Sequence, residues 1–126
     1  MNAFVVVGNL QRFDIVDYFK SNKTVIWKQV SKCETGDRVF IYVGRPLSRL
    51  VYECRITKKD VSIEGIHYLL PYAGKRKQPH MELELIRELP VEGLSLKTLL
   101  DKGLKTVQCS TRIDDELKKY IDKVIK

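Results

Sequence analysis

The stretch that most constrains the fold is the hexapeptide RVFIYV at residues 38–43, which follows a Gly-Asp turn. Its period-two pattern predicts a β-strand with Phe40 and Tyr42 on one face and aliphatic side chains on the other. Both faces are apolar, which is typical of a strand that is covered on both sides. The sequence therefore predicts a strand buried inside a curled sheet, under a helix.

Other segments with strand character surround this strand. An apolar run at residues 3–7 ends in the turn residues Gly8 and Asn9. Three further runs are rich in β-forming residues or alternate apolar and polar side chains: RLVYECRITK, GIHYLLPY and HMELELIREL. The last of these alternates cleanly, which predicts a strand with one face in water.

Helical patterns occur near the N-terminus and in the last third of the chain. Residues 13–19 place apolar side chains at helical spacing, Ser95 and Gly103 bound a second short helix, and Asp114 is the expected N-cap of a third, amphipathic helix. No regular βαβα alternation appears. We therefore predict an α+β fold over a single domain, residues 1–126, with a mostly antiparallel or mixed sheet curled toward a barrel and short helices outside it.

The distribution of charge favours a polyanionic partner. The chain carries a net charge of +7, and residues Arg12 to Lys59 hold 11 basic and 5 acidic side chains, a balance of +6. The segment GKRKQ adds Lys75, Arg76 and Lys77. Such clustering along the chain favours a surface that binds nucleic acid over the alternative of a basic, soluble protein without a polyanionic partner.

Other classes of protein find little support. No apolar run approaches the roughly 20 residues that span a bilayer, and the N-terminus does not have the pattern of a signal peptide, so a cytoplasmic location is expected. The chain has no GxSxG, Walker, HExxH or GxGxxG motif, so an enzyme and a cofactor are not expected. The three cysteines are widely spaced, which favours structural thiols over a zinc site that they would share with the two histidines.

Aromatic and basic residues lie close together at two places. Trp27, the only tryptophan, is followed by Lys28, and Tyr42 precedes Arg45 and Arg49. Aromatic rings stack on bases, while basic side chains neutralise phosphates. Trp27 has polar neighbours, which favours a site over the core. Tyr42 fits a core position and a site equally well.

Four segments, in this order, resemble the EVE domain, a member of the PUA-like superfamily related to the YTH domain: FVVVGN, IWKQV, CETGDRVFIYVGRPLSRLVYECRIT and MELELIRELPVEGLSLKTLL. The family places a tryptophan after its first helix and a tyrosine at the end of the strand after its Gly-Asp turn, as Trp27 and Tyr42 are placed here. The turn GNLQR departs from the family's usual turn, and Asn9 is instead similar to the polar residue that contacts a base in YTH relatives. In the ASCH domain, another PUA-like branch, Lys and Glu stand where this chain has Arg76 and His80.

The resemblance implies a PUA-like barrel with a pocket for a modified base of DNA, in particular a methylated one, between the first helix, the tryptophan-containing loop and the loop after the tyrosine strand. The residues implied to line the pocket are Asn9, Trp27, Lys28, Tyr42, Arg45 and Tyr72. Those implied to hold phosphates are Lys32, Arg49, Lys75, Arg76 and Lys77. The implied partner is DNA with modified bases, together with a restriction nuclease as partner or fused domain. No metal or cofactor is implied.

Two other functions stay open at this point. An RNA-binding module of general PUA or ASCH type would rely on the basic surface more than on the pocket and would read the 2′-hydroxyl. A binder of small, nucleoside-like molecules, or an unrecognised enzyme, would use the same pocket. Competition between RNA and modified DNA of one sequence separates the first of these from a reader of modified DNA.

Overall fold

Six strands and three helices make up the part of the chain that the computed structural model describes, which is residues 2–62, 79–107 and 109–125. In chain order they are β1 (Ala3–Gly8), α1 (Ile15–Tyr18), β2 (Thr24–Lys28), β3 (Arg38–Val43), β4 (Arg49–Lys58), β5 (His80–Glu88), α2 (Leu96–Asp101), β6 (Thr111–Arg112) and α3 (Asp115–Ile125). The predicted α+β class is confirmed. The strand expected in GIHYLLPY lies outside the described residues.

The strands form one mixed sheet in the order β2-β5-β4-β3-β1-β6. β1 and β3 are parallel, and every other neighbouring pair is antiparallel. Because parallel strands end at the same edge of a sheet, the carboxyl ends of β1 and β3 lie together, with Gly8 opposite Val43. The two end strands, β2 and β6, do not pair with each other, so the sheet is curled but not closed within the described part of the chain.

The curl is produced mainly along β4. Its pairing with β3 shifts register at Ile41/Tyr42, and its pairing with β5 shifts again at two places. Such bulges bend a strand and increase its twist. The bend brings β2 close to β1, although three strands separate them in the sheet. This approach is visible at Gly8, where an added methyl group would lie only 3.6 Å from Cη2 of Trp27.

Hydrophobic side chains pack on both faces of the sheet. We call the cluster on the concave face, which α1 covers, the inner core, and the cluster under α2 and α3 the outer core. Ile41 belongs to the inner core, and Phe40 and Tyr42 belong to the outer core. The prediction that β3 is apolar on both faces is therefore confirmed.

Each of the three helices in the described part of the chain begins with a side-chain cap. An oxygen of Asp14 accepts a hydrogen bond from the backbone N–H of the third residue beyond it, at 3.0 Å, and Ser95 and Asp114 do the same at 3.3 and 2.8 Å. The predicted starts of α2 and α3 are therefore confirmed. None of the helices in the described ranges is long and apolar enough to cross a membrane.

A network of charged side chains joins α3 to the outer face of the sheet. The guanidinium of Arg38 donates to both carboxylate oxygens of Asp122, at 2.6 and 3.1 Å, and to Oε2 of Glu53 at 3.1 Å. It also lies 4.9 Å from the ring centre of Phe40. The second oxygen of Glu53 accepts no hydrogen bond from a described residue, and Nε of Arg87 lies 3.1 Å from it. Glu53 thus depends on two arginines for its counter-charge.

The cysteines form no disulfide. Cys33 and Cys54 are buried in the inner core, and Cys109 is exposed. Burial raises the pKa of the Cys33 and Cys54 thiols. Both are therefore neutral side chains of the core at physiological pH, as a structural role requires.

Candidate functional site

Three of the predicted site residues lie next to the glycines at which β1 and β3 end. The backbone N–H of Gly44 donates to the carbonyl of Gly8 at 3.1 Å. Asn9 and Arg45 each follow one of these glycines and are exposed, and the Trp27 indole lies against Gly8. We call this group of five residues the glycine edge. It lies at one end of the sheet and includes an aromatic, an amide and a basic residue.

Gly8 makes this approach possible. It occupies an inward-facing position of β1, where a Cβ atom would lie 3.6 Å from Cη2 of Trp27 and 3.7 Å from Cγ2 of Ile41. The missing side chain leaves space that the indole covers. Trp27 itself lies on strand β2, opposite Met81 of β5, and not in the loop that the sequence predicted. Its ring packs against the inner core and stays partly exposed.

Replacing Gly8 with valine should therefore displace the indole. The first added carbon makes ordinary van der Waals contact with Trp27, but the two further methyl groups meet the ring and Ile41. Overpacking of this kind costs about 1–3 kcal/mol. Because Trp27 is the only tryptophan, a red shift of its fluorescence emission reports the movement directly. Gly8→Ala is the matched control and should keep the wild-type spectrum; an unshifted spectrum and melting temperature in Gly8→Val contradict the packing described here.

The side chain of Asn9 is oriented by its own turn. Its Oδ1 accepts from the backbone N–H of Gln11 at 2.9 Å, and its carbonyl accepts from the N–H groups of Arg12 and Phe13 at 3.0 Å each. The Nδ2 amide donates to no described residue. Asn9 is therefore held in place with its donor end available, while its acceptor end is occupied.

Tyr42 does not belong to this site, which corrects the expectation that it lines the base pocket with Trp27. It is only 4% exposed and packs in the outer core, whereas Trp27 packs on the inner core. The reason is the alternation of β3, because Tyr42 shares the face of Phe40, which α2 and α3 cover.

Tyr52 is an aromatic residue of the inner core that the sequence analysis did not single out. It packs in the inner core, and its ring makes an edge contact with Phe19 at 4.8 Å between centroids. Simple alternation along β4 would place Tyr52 beside Leu50 in the outer core. Val51 is instead an extra residue in the β3–β4 ladder, so Val51 and Tyr52 both face inward. No glycine or proline marks this bulge in the sequence.

Charged groups surround the hydroxyl end of Tyr52. Burial raises the pKa of the phenol, and the carboxylates of Glu88 and Asp14 raise it further, while Arg49 acts in the opposite direction. The phenol is therefore protonated at neutral pH. Arg49 is partly buried, and its Nη1 donates to the carbonyl of Leu50 at 3.2 Å, so we expect it to support the fold more than to hold a phosphate.

The remaining predicted site residues are less closely connected to the glycine edge. Lys28 is exposed and follows Trp27 at the end of β2. Lys32 is exposed in the loop between β2 and β3, where its φ is +60°. Four of them lie outside the described residues: Tyr72, Lys75, Arg76 and Lys77.

Comparison with known proteins establishes the fold. No protein-family model matches the chain, and no curated protein matches it. A crystal structure of a Pseudomonas putida protein matches with a TM-score of 0.70 and 14% identity, over 98% of this chain and 99% of that one.

Two further structures carry descriptive names. Human THYN1, in complex with DNA containing 5-methylcytosine, matches with a TM-score of 0.67 and 11% identity over 100% of this chain and 98% of that one. The ASCH protein of Zymomonas mobilis matches with a TM-score of 0.65 and 13% identity over 98% and 96%. At these identities the similarity is one of fold, and the fold is PUA-like.

Proposed function

We propose that this chain is a non-catalytic nucleic-acid-binding module of EVE type, which reads a modified base in DNA at the glycine edge. The observation that carries the proposal is the contact of the Trp27 indole with Gly8, together with the hydrogen bond of Gly8 to Gly44, because Asn9 and Arg45 are the residues that follow these two glycines. A ring stacks on a base, an amide donates to its edge, and a guanidinium neutralises the adjoining phosphate. Contacts of these three kinds together can recognise a single extruded base.

Charge and fold support the proposal. The net charge of +7 increases both the association rate and the binding affinity for a polyanion, whatever the sequence of that polyanion. The PUA-like fold is shared with human THYN1, whose structure was solved in complex with DNA containing 5-methylcytosine. Extrusion of a base costs a few kcal/mol, which stacking and hydrogen bonds must offset. A buried methyl group contributes about 0.8 kcal/mol more, so a methylated base is the expected ligand.

Each proposed contact has its own residue. Trp27 provides the stacking surface, the Nδ2 of Asn9 donates to the base, and Arg45 and Lys28 meet phosphates on either side. Lys75–Lys77 and Tyr72 keep their predicted roles as further phosphate and pocket contacts. An associated or fused nuclease and a cytoplasmic location remain predictions from the sequence.

Fluorescence anisotropy with the wild-type protein tests the proposal. The probes are labelled duplexes of one sequence that carry plain, methylated, hydroxymethylated or glucosylated bases, and the affinity for each is measured. The salt concentration is varied from about 50 to 200 mM, because phosphate contacts make affinity salt-dependent. We expect one modified duplex to bind at least about tenfold more tightly than the plain one, a difference of about 1.4 kcal/mol.

The same titrations include single-stranded and duplex RNA of that sequence. Tighter binding of RNA than of every modified duplex would favour the general RNA-binding module instead. Equal affinities for all the DNA duplexes would contradict reading of a modified base and leave only non-specific binding.

A further inference from the structure

The turn between β3 and β4, residues 44–48, begins in the glycine edge and carries exposed apolar side chains at its tip. We infer, on the basis of the proposed function, that Pro46 and Leu47 form a wedge that enters a DNA duplex and fills the gap left by the extruded base. The glycine edge then holds the base, and the tip of the turn holds the duplex open. Double-stranded DNA, and not a single strand, is therefore the partner.

A short series of contacts connects the tip of the turn to the glycine edge. The carbonyl of Gly44 accepts from the backbone N–H of Leu47 at 3.1 Å, which closes a tight turn. The N–H of Gly44 donates to the carbonyl of Gly8, also at 3.1 Å, and the Trp27 indole lies against Gly8. Because the first and last Cα atoms of a tight turn are less than about 7 Å apart, Leu47 lies close to the proposed base site.

The side chain of Leu47 is exposed although it is large and apolar. Its exposed fraction is 36%, and it belongs to neither the inner core nor the outer core. Pro46 is exposed beside it, and both directly follow the basic side chain of Arg45. The other exposed large apolar side chains in the described ranges lie away from this turn in the chain: Ile86, Val91 and Leu100. The turn therefore presents apolar surface to solvent at the one end of the sheet where the proposed site lies.

Both ends of the turn are fixed by hydrogen bonds. The carbonyl of Gly44 also accepts from the N–H of Ser48 at 3.3 Å. The carbonyl of Ser48 in turn accepts from the N–H of Leu96, the first residue of α2, at 3.0 Å. The ring of Pro46 restricts φ at the tip. A tip held in this way loses little conformational entropy on binding, which favours its use as a wedge.

The order of residues along the turn matches the parts of an extruded nucleotide. The base leaves the stack, its phosphates stay at the surface of the duplex, and a gap remains between the neighbouring base pairs. Gly44, Arg45 and Leu47 follow one another in the same order, for the base, the phosphate and the gap. Leucine and proline are among the apolar side chains that proteins insert between base steps of a deformed duplex.

Leu47→Ala tests the inference because it shortens the wedge and leaves the glycine edge unchanged. Leu100→Ala is the matched control, since it makes the same change at a leucine that is 46% exposed on α2. Both side chains are exposed, so both variants should keep the wild-type melting temperature. The probes carry cytosine, 5-methylcytosine or 5-hydroxymethylcytosine at one position of one sequence, each as a duplex and as a single strand.

A single strand has no base step that must be held open, so the wedge contributes only to binding of the duplex. We expect Leu47→Ala to weaken binding of the preferred modified duplex about tenfold, with affinity for the matching single strand within about twofold of wild type. Leu100→Ala should change neither affinity. Fluorescence anisotropy at one fixed salt concentration measures all of these affinities.

The outcomes separate the wedge from the proposed function. Unchanged affinity of Leu47→Ala for the duplex that wild type prefers overturns the wedge and leaves the proposed function standing. An equal loss for duplex and single strand, or the same loss in Leu100→Ala, also overturns the wedge. A wild-type preference for the modified base in single strands alone does so as well. Wild-type protein that binds modified and plain probes equally overturns the wedge and the proposed function together.

Discussion

Replacing Trp27 with alanine is expected to abolish the preference for modified over plain DNA while leaving salt-dependent, non-specific binding in place. Base stacking on an aromatic side chain contributes about 1–3 kcal/mol, so affinity for the preferred duplex should fall roughly 5- to 150-fold. Under the proposed function, affinity for the plain duplex comes from phosphate contacts such as the one proposed for Arg45, so it should change little. Anisotropy titrations with both duplexes at several salt concentrations measure the two terms separately.

Trp27→Phe is the conservative control, because it keeps an aromatic face and should retain part of the discrimination. The indole also packs against the inner core, so the variants must be compared well below their melting temperatures. If Trp27→Ala loses affinity equally for both duplexes and melts much earlier, then Trp27 is a core residue and not the stacking surface.

Replacing Arg38 with alanine is expected to lower the free energy of unfolding by about 3–5 kcal/mol, which is more than any other substitution proposed for this protein. The side chain of Glu53 is only 8% exposed, and without Arg38 its carboxylate keeps Arg87 alone as counter-charge. The variant also loses the bidentate contact that fixes α3 through Asp122. Chemical denaturation followed by circular dichroism measures the change.

Arg55→Ala provides the matched control for this prediction. Arg55 lies directly opposite Arg38 in the β3–β4 ladder, and its ion pair with Glu84, at 2.8 Å, joins side chains that are 53% and 40% exposed. Exposed pairs of this kind contribute about 0–1 kcal/mol. Similar losses in the two variants would contradict a special role for the buried network. Adding Glu53→Gln to Arg38→Ala should recover part of the stability, because it removes the buried charge.

Local patterns in the sequence predicted most of the fold. The strand from Arg38 to Val43, the run RLVYECRITK and the N-caps Ser95 and Asp114 all correspond to observed elements. Each depends on interactions between residues close together in the chain, which periodicity and capping describe well. β2 was missed because its five residues mix exposed and buried side chains, and β6 because it has only two residues.

The site was harder to predict than the fold, because it depends on contacts between distant elements. Interleaved charge and aromaticity, with the resemblance to the EVE domain, singled out Trp27, Asn9 and Arg45, and in the structure Trp27 contacts Gly8 while Asn9 and Arg45 follow Gly8 and Gly44 in the chain. The resemblance placed Tyr42 in the pocket, whereas the structure places it in the outer core; Tyr52, which a bulge turns toward the inner core, was not considered. The bulge becomes visible only in the register between β3 and β4.

The separation of β1 and β2 in the strand order affects when the site can form during folding. Trp27 reaches Gly8 only because β5 pairs with both β2 and β4, and β5 is contributed by the much later residues 80–88. A nascent chain that has emerged only through β4 already contains Asn9, Trp27 and Arg45 but cannot hold them together. Non-local pairing of this kind is slow, and chains begin to fold while they are still being synthesised. The glycine edge therefore cannot be completed before β5 has been synthesised and has paired with β2 and β4.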